Sequence, residues 1–223
     1  MRESDYYPRV ARWAKDQLGC FHTAIDSGLK RGRIDVVGLR DVGGNLSGRS
    51  EVVSIEVKHG KQPFATAVGQ ASGYSIYADR CYLAEARPKP FDDDEIAIAS
   101  RLGVGLVHVT GTQRIRVTEV VTAPVREPLE GLRLELLDKL GFSQCTLCST
   151  LFARGDKKSW GKNIVRQSER GTHIPRALDT DQGVMYWLHE QAARSSAPDE
   201  TIYHRRYLCP DCVYALFAHV DRA

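Results

Sequence analysis

The chain has 223 residues, 42% of them apolar, and a formal net charge of only +3. That length suits one large domain or a medium domain with a small one, and so weak a global charge selects no class of partner. No run approaches the ~20 apolar residues that span a bilayer, and "MRESDYYPRV" lacks the apolar centre of a signal peptide, so the expectation is a cytoplasmic protein with no membrane association.

Residues 7–18 place Val10, Trp13, Ala14 and Leu18 at helical spacing, and Gly19 ends the run. "CFHTAID" (20–26) reads as a short strand and "SGLKRG" as a turn. "RIDVVGLR" (33–40) and "EVVSIEVK" (51–58) are β-branched runs and read as strands, joined as a hairpin by "DVGGNLSGRS". Pro63 suits a helix start, and 63–78 carries Phe64, Val68, Ala71 and Ser75 along one stripe. "RCYLAEA" (80–86) is a further strand. "DDDEIAIASRL" (92–102) opens with acids that favour a helix N-terminus. "VGLVHV" (104–109) reads as a buried strand and "QRIRVTEVV" (113–121) as a half-exposed one. "APVREP" (123–128) resembles a linker, and a helix is expected over 129–140. Beyond Gly141 the periodicity gives way to cysteine pairs and basic loops, which sets a boundary between 1–140 and 141–223.

Strand side chains alternate with period two. Val53, Ile55 and Val57 therefore share one face of 51–58, and Glu56 and Lys58 share the other. In the preceding strand Asp35 stands between Ile34 and Val36. Carboxylates on paired strands can converge on one divalent cation. Mg²⁺ or Mn²⁺ takes oxygen ligands, which Asp35, Glu56 and the Val57 carbonyl can supply. Such an ion polarises a phosphoryl oxygen and activates water, and Lys58 can orient that water or stabilise developing charge. The plainer account of an E-x-K pattern is an ion pair on a solvated sheet face. Gln70 and Tyr74, four residues apart on the following helix, count against that account.

Together "GRIDVVG", "IEVKHG" and "QASGY" resemble the PD-(D/E)XK, or restriction-endonuclease-like, nuclease superfamily. The resemblance covers roughly residues 7–86. It implies an α/β fold with a mixed central sheet and an α-β-β-β-α-β core. It also implies that Asp35, Glu56 and Lys58 are the catalytic acid, acid and lysine. Gln70 and Tyr74 are similar to the Q-x-x-x-Y motif of exonuclease-like and resolvase-like members, where these residues position strand and site. Two departures stand out. Ile34 replaces the proline before the first acid, and the first helix has no clear glutamate, so Glu3 and Asp16 both remain open for that ligand. His59 is expected to point away from Lys58, and Lys61 lies just beyond the strand, where it fits either a phosphate contact or a solvated loop lysine.

In the second region Cys145 and Cys148 form one C-x-x-C pair and Cys209 and Cys212 another. Four thiolates suit a tetrahedral structural zinc site, and the two ends resemble a treble-clef module. Sixty residues separate the pairs, which points to an insertion. Zinc binding would offset a thin core. Residues 154–176 carry seven Lys/Arg against two acids. Arg154, Lys157, Lys158 and Lys162 fit phosphate contacts and Trp160 fits base stacking, although a packed basic loop accounts for them equally well. "DQGVMYWLHEQAAR" reads as an amphipathic helix with Val184, Trp187, Leu188 and Ala192 inward. Cys20 and Cys81 read as core thiols.

The expected function is a Mg²⁺- or Mn²⁺-dependent deoxyribonuclease with a structural Zn²⁺, acting on DNA in defence or repair. A homodimer is compatible, since paired nicks require two active sites. The rivals are a catalytically inactive nucleic-acid-binding protein of the same fold and a zinc-stabilised protein-interaction module.

Overall fold

The computed structural model describes residues 2–29, 32–43, 49–112, 114–145 and 148–153, and the backbone of 184–185 and 207–208. Two compact units emerge: Met1–Val42 with Glu51–Arg133, and Gly43–Ser50 with Leu134–Ala223.

In the first unit, a 3₁₀ turn at Glu3–Asp5 leads into α1 (Tyr7–Leu18). Pro8 sits in the first turn, where its missing N–H leaves no bond unmade. Gly19 stops the helix in a left-handed conformation, φ 69°, that any Cβ would disfavour. Three strands follow: β1 (Cys20–Leu29), β2 (Gly32–Asp41) and β3 (Ser50–Lys58). Then come α2 (Phe64–Gly73), a 3₁₀ turn at Tyr74–Ile76, β4 (Arg80–Ala86), α3 (Asp93–Leu102), β5 (Gly105–Thr110) and β6 (Arg116–Val121). Helix α4 (Glu130–Lys139) runs across the division between the units. No helix among the described residues is long and apolar enough to cross a membrane.

The strands form one mixed sheet in the order β1-β2-β3-β4-β5-β6. β1 pairs β2 antiparallel, β3–β4 and β4–β5 are parallel, and β5–β6 is antiparallel. Helices α2 and α3 are the crossovers that parallel neighbours require. The expected α-β-β-β-α-β order is therefore present.

Both faces of the sheet are covered, as parallel strands demand. On one face α1 sets Val10, Trp13 and Ala14 against Val36, Val53, Ile55, Val57 and Tyr82. On the other, Ala67, Val68 and Ala71 of α2 and Ala99 of α3 close over Leu83 and Leu106. Each fully buried Val or Ile on β3 contributes roughly 1.5–3 kcal/mol. Asp92 caps α3 through a reciprocal bond with Glu95, as the acid run predicted.

Three expectations change. β1 continues to Leu29, where Leu29 pairs Gly32, so most of "SGLKRG" is strand rather than turn. Leu29 is buried, which favours the longer pairing. "APVREP" is no free linker. Ala123 is buried, the Arg126 N–H donates to the Asp79 carbonyl (2.8 Å), and the Leu129 N–H donates to the Ile76 carbonyl (3.0 Å). In the second unit, Val184–Met185 forms a short strand β9 paired antiparallel with β10 (Tyr207–Leu208), so these two residues of the helix expected over 181–194 are strand instead. Backbone pairing outweighs the helical spacing there.

The second unit also holds the hairpin β7 (Phe142–Gln144) and β8 (Leu151–Ala153). Its turn contains Cys145, buried, and Cys148, partly buried. The Cys145 N–H donates to the Thr150 carbonyl and the Ser149 N–H to the Cys145 carbonyl, each at 2.9 Å. β10 lies close to β7. The candidates Cys209, Cys212, Arg154, Lys157, Lys158, Trp160, Lys162, Trp187, Leu188 and Ala192 lie outside the described residues.

At the start of β3 the buried Glu51 accepts from Arg40 Nε (2.9 Å) and Arg80 Nε (2.7 Å). Burial alone would raise its pKa, but the two guanidiniums outweigh burial and hold it below the usual carboxylate range. A depressed folded pKa stabilises the fold above the unfolded value, near ~4.3, and that stability is lost as pH falls through the folded value. Glu51→Gln is therefore expected to cost about 3 kcal/mol at pH 7 and much less at pH 3. Denaturant unfolding at both pH values measures this, and an equal cost at both would contradict the ion-pair origin.

Candidate functional site

β3 resolves the placement of the central pair by its alternation. Val53, Ile55 and Val57 pack toward α1, so Glu56 and Lys58 face the opposite side. That side is not a solvated sheet face. Glu56 is 3% exposed, and Lys58 and Asp35 are each 8% exposed. An exposed surface pair is thereby ruled out, and with it the low energies such pairs carry.

Asp35 is held on both oxygens. The Val57 backbone N–H donates to Oδ2 at 2.8 Å and the Tyr7 hydroxyl donates to Oδ1 at 2.6 Å. Val57 thus enters the site through its N–H. Lys58 Nζ lies 2.6 Å from Glu56 Oε1 and 4.0 Å from Glu3 Oε2. The other Glu56 oxygen, Oε2, is buried with no hydrogen-bond partner. The Tyr74 hydroxyl donates to the Arg33 carbonyl at 2.5 Å and lies close enough to Glu56 for each to perturb the other.

The electrostatics follow from this crowding. Burial raises the pKa of Asp35 against the hydrogen bonds from Tyr7 and Val57, which lower it. Burial likewise raises Glu56, the Lys58 bond opposes it, and the charge of Asp35 adds to the rise. For Lys58, burial works against the ammonium, yet the Glu56 bond and the fields of Glu56, Glu3 and Asp35 prevail and raise its pKa. Burial and the neighbouring carboxylates hold both Tyr7 and Tyr74 in the phenol form well above the ordinary range. The site is two desolvated carboxylates sharing one ammonium, with one carboxylate oxygen unmatched.

Glu85, opposite Lys58 on β4, is the next buried acid, but it already has a cation. Arg87 Nη1 lies 3.3 Å from Glu85 and 2.7 Å from Glu95. Glu85 and Glu95 thus share one guanidinium, and burial still raises the Glu85 pKa; the Asp35–Glu56 pair differs in leaving a buried carboxylate oxygen with no hydrogen-bond partner. Among the described residues no group of three or more His, Cys, Asp or Glu side chains is arranged to hold a metal. A closed protein cage for a metal is thus not present there. Two carboxylates plus waters and a substrate phosphate are the usual donor set for Mg²⁺, and the unmatched Glu56 Oε2 is an acceptor placed for such an ion.

Not every expected residue joins the site. Gln70 is exposed on α2, whereas Tyr74, the first residue of the following 3₁₀ turn, is partly buried. Lys61 is exposed beyond β3. The His59 N–H donates to Glu3 Oε1 at 3.2 Å, and its ring meets Tyr6 edge-on. Gly60, at φ 65°, turns the chain at that point, where a Cβ would stand 3.0 Å from the Ala86 carbonyl oxygen. Of the two open helix acids, Glu3 reaches the site, while Asp16 is exposed and 4.0 Å from Arg12. Sequence reading did not find Tyr7; its only signal is an aromatic in the first turn of the helix that covers the sheet.

No family model matches the chain, and no curated protein matches it.

Raised folded pKa values on Asp35 and Glu56 mean that the cation-free fold loses stability as pH climbs from the carboxyl range through those values. A bound divalent cation relieves this penalty. Mn²⁺ is therefore expected to raise the melting temperature more at pH 8 than at pH 5, by the equivalent of about 2.7 kcal/mol at a hundredfold excess over Kd. Asp35→Ala should remove that increment. A shift equal in the variant, or larger in acid, would place the ion elsewhere.

Proposed function

We propose that this chain is a metal-dependent nuclease of the PD-(D/E)XK type that hydrolyses phosphodiester bonds, with DNA as the substrate. The observation that carries the reading is the buried Asp35–Glu56 pair on neighbouring strands, with the Lys58 ammonium on Glu56 Oε1 and Glu56 Oε2 without a hydrogen-bond partner. The α-β-β-β-α-β order and the motifs "GRIDVVG" and "IEVKHG" support it from the sequence side.

Asp35 and Glu56 would hold the divalent cation, which when bound supplies Lewis-acid polarisation of the scissile phosphate and activation of water. The remaining work belongs to the chain. Val57 fixes the Asp35 carboxylate through its N–H. Lys58 acts as a cation and not as a base, because its neighbours favour the ammonium. It stabilises negative charge that grows on the phosphate, in a site from which water is largely excluded. Tyr74 holds the Arg33 carbonyl and so fixes the start of β2 beside Glu56. Lys61, exposed just beyond β3, would meet a neighbouring phosphate.

For the second unit the reading is a Cys₄ zinc module. Its support is the turn that holds Cys145 and Cys148 between β7 and β8, and the approach of β10, which directly precedes Cys209, to β7. Arg154, Lys157, Lys158, Trp160 and Lys162 would then grip nucleic acid from the insertion.

Plasmid and linear DNA incubated with Mg²⁺, Mn²⁺ or EDTA test the activity. Cleavage should require the metal and fall roughly 100- to 1,000-fold in both Glu56→Ala and Lys58→Ala. Salt-sensitive DNA binding without cleavage would favour the inactive binding protein, and cleavage that survives both substitutions would falsify the site. Elemental analysis of the purified chain should return about one zinc, as one Cys₄ site requires; a value near zero removes the module from the reading.

A further inference from the structure

Asp35 is clamped from two directions, by a backbone group of β3 and by a phenol from the first turn of α1. We propose that Tyr7 is a positioning residue for metal binding, fixing through its hydroxyl the rotation of the Asp35 carboxylate and so the direction of its remaining lone pairs. The inference rests on the metal-site reading above and adds a residue that no sequence motif supplies.

An aspartate side chain has two free torsions. One hydrogen bond, to Oδ2, leaves the carboxylate able to pivot about that contact. A second, to Oδ1, removes the freedom. Each oxygen of an ionised carboxylate has about two lone-pair directions, so both bonds together still leave acceptor capacity for an ion. Neighbours that orient a ligating carboxylate in this way typically carry 10- to 100-fold in metal affinity.

Tyr7 itself has little room to move. Its helix is anchored by Val10, Trp13 and Ala14 against Val36, Val53 and Val57, residues of the two strands that carry the acids. Adjacent Tyr6 is 5% exposed and meets the His59 ring edge-on at 5.9 Å between centroids. Successive helical residues point about 100° apart. One tyrosine therefore pins the helix start to the end of β3 while the next reaches Asp35. The docking of α1 is transmitted to the carboxylate through a single hydroxyl.

The test compares two identical chemical changes. Tyr7→Phe removes the hydroxyl on Asp35. Tyr82→Phe removes a hydroxyl that donates to Glu119 at 2.9 Å, away from the acids. Calorimetric Mn²⁺ titration of the full chain, with Glu56→Ala as the baseline, should show affinity about 10- to 100-fold weaker in Tyr7→Phe and unchanged within about twofold in Tyr82→Phe, although both lose similar thermal stability. Cleavage by Tyr7→Phe should recover toward wild type as Mn²⁺ is raised, since the reacting groups remain. Wild-type affinity in Tyr7→Phe overturns the inference alone. Loss of affinity in both variants assigns a general structural effect and overturns it too. Mn²⁺ binding without DNA cleavage by the wild type overturns the nuclease reading and leaves the Tyr7 result standing, whereas no Mn²⁺ binding by the wild type overturns both.

Discussion

Two carboxylates taken out of water beside a single ammonium set the terms for the rest of this molecule. Like charges in a low-dielectric place repel strongly, and one Lys58 cannot neutralise both Asp35 and Glu56. The fold tolerates the arrangement because it supplies hydrogen bonds wherever it can. Asp35 takes two, Glu56 takes the ammonium, and Glu56 Oε2 goes without. A purely structural role would be served more stably by apolar residues of similar volume. Glu51, with its two guanidiniums, shows how the same sheet treats a buried acid whose charge is fully matched.

The sheet explains why the acids meet where they do. β3 is buried along its whole length, so alternation does not separate core from solvent; it separates one packed layer from another. Val53, Ile55 and Val57 fill the layer under α1. Glu56 and Lys58 fall in the other layer near the carboxyl end of the strand, past the region that Ala67, Val68 and Ala71 of α2 seal with Leu83. Crevices outside the carboxyl ends of parallel strands are where open α/β sheets bind ligands. The packing energy of the two layers holds the polar cluster in a position it would not adopt alone.

Much of this was legible in the residues themselves. Helix α1 ends as Gly19 requires, Asp92 and Glu95 form the cap their spacing announces, and period two places Glu56 with Lys58. Pairings made by tertiary docking were not legible. Nothing local says that Tyr7 reaches Asp35 or that Glu3 rather than Asp16 approaches Lys58, because both depend on how the helix crosses the sheet. The different exposure of Gln70 and Tyr74 was not legible either: the α-helix ends at Gly73 and Tyr74 opens a 3₁₀ turn, which four-residue spacing alone does not announce. "APVREP" looked like a linker on composition, but its backbone bonds to Asp79 and Ile76 are long-range and leave no local signature.

Anomalous scattering from crystals grown with Mn²⁺ addresses the acid pair directly. One peak is predicted within about 2.2 Å of oxygens from both Asp35 and Glu56, with Glu56 Oε2 among its ligands. A site occupied at full Mn²⁺ saturation by Lys58 and Tyr7 contacts alone, with the ion bound elsewhere or nowhere, would contradict it.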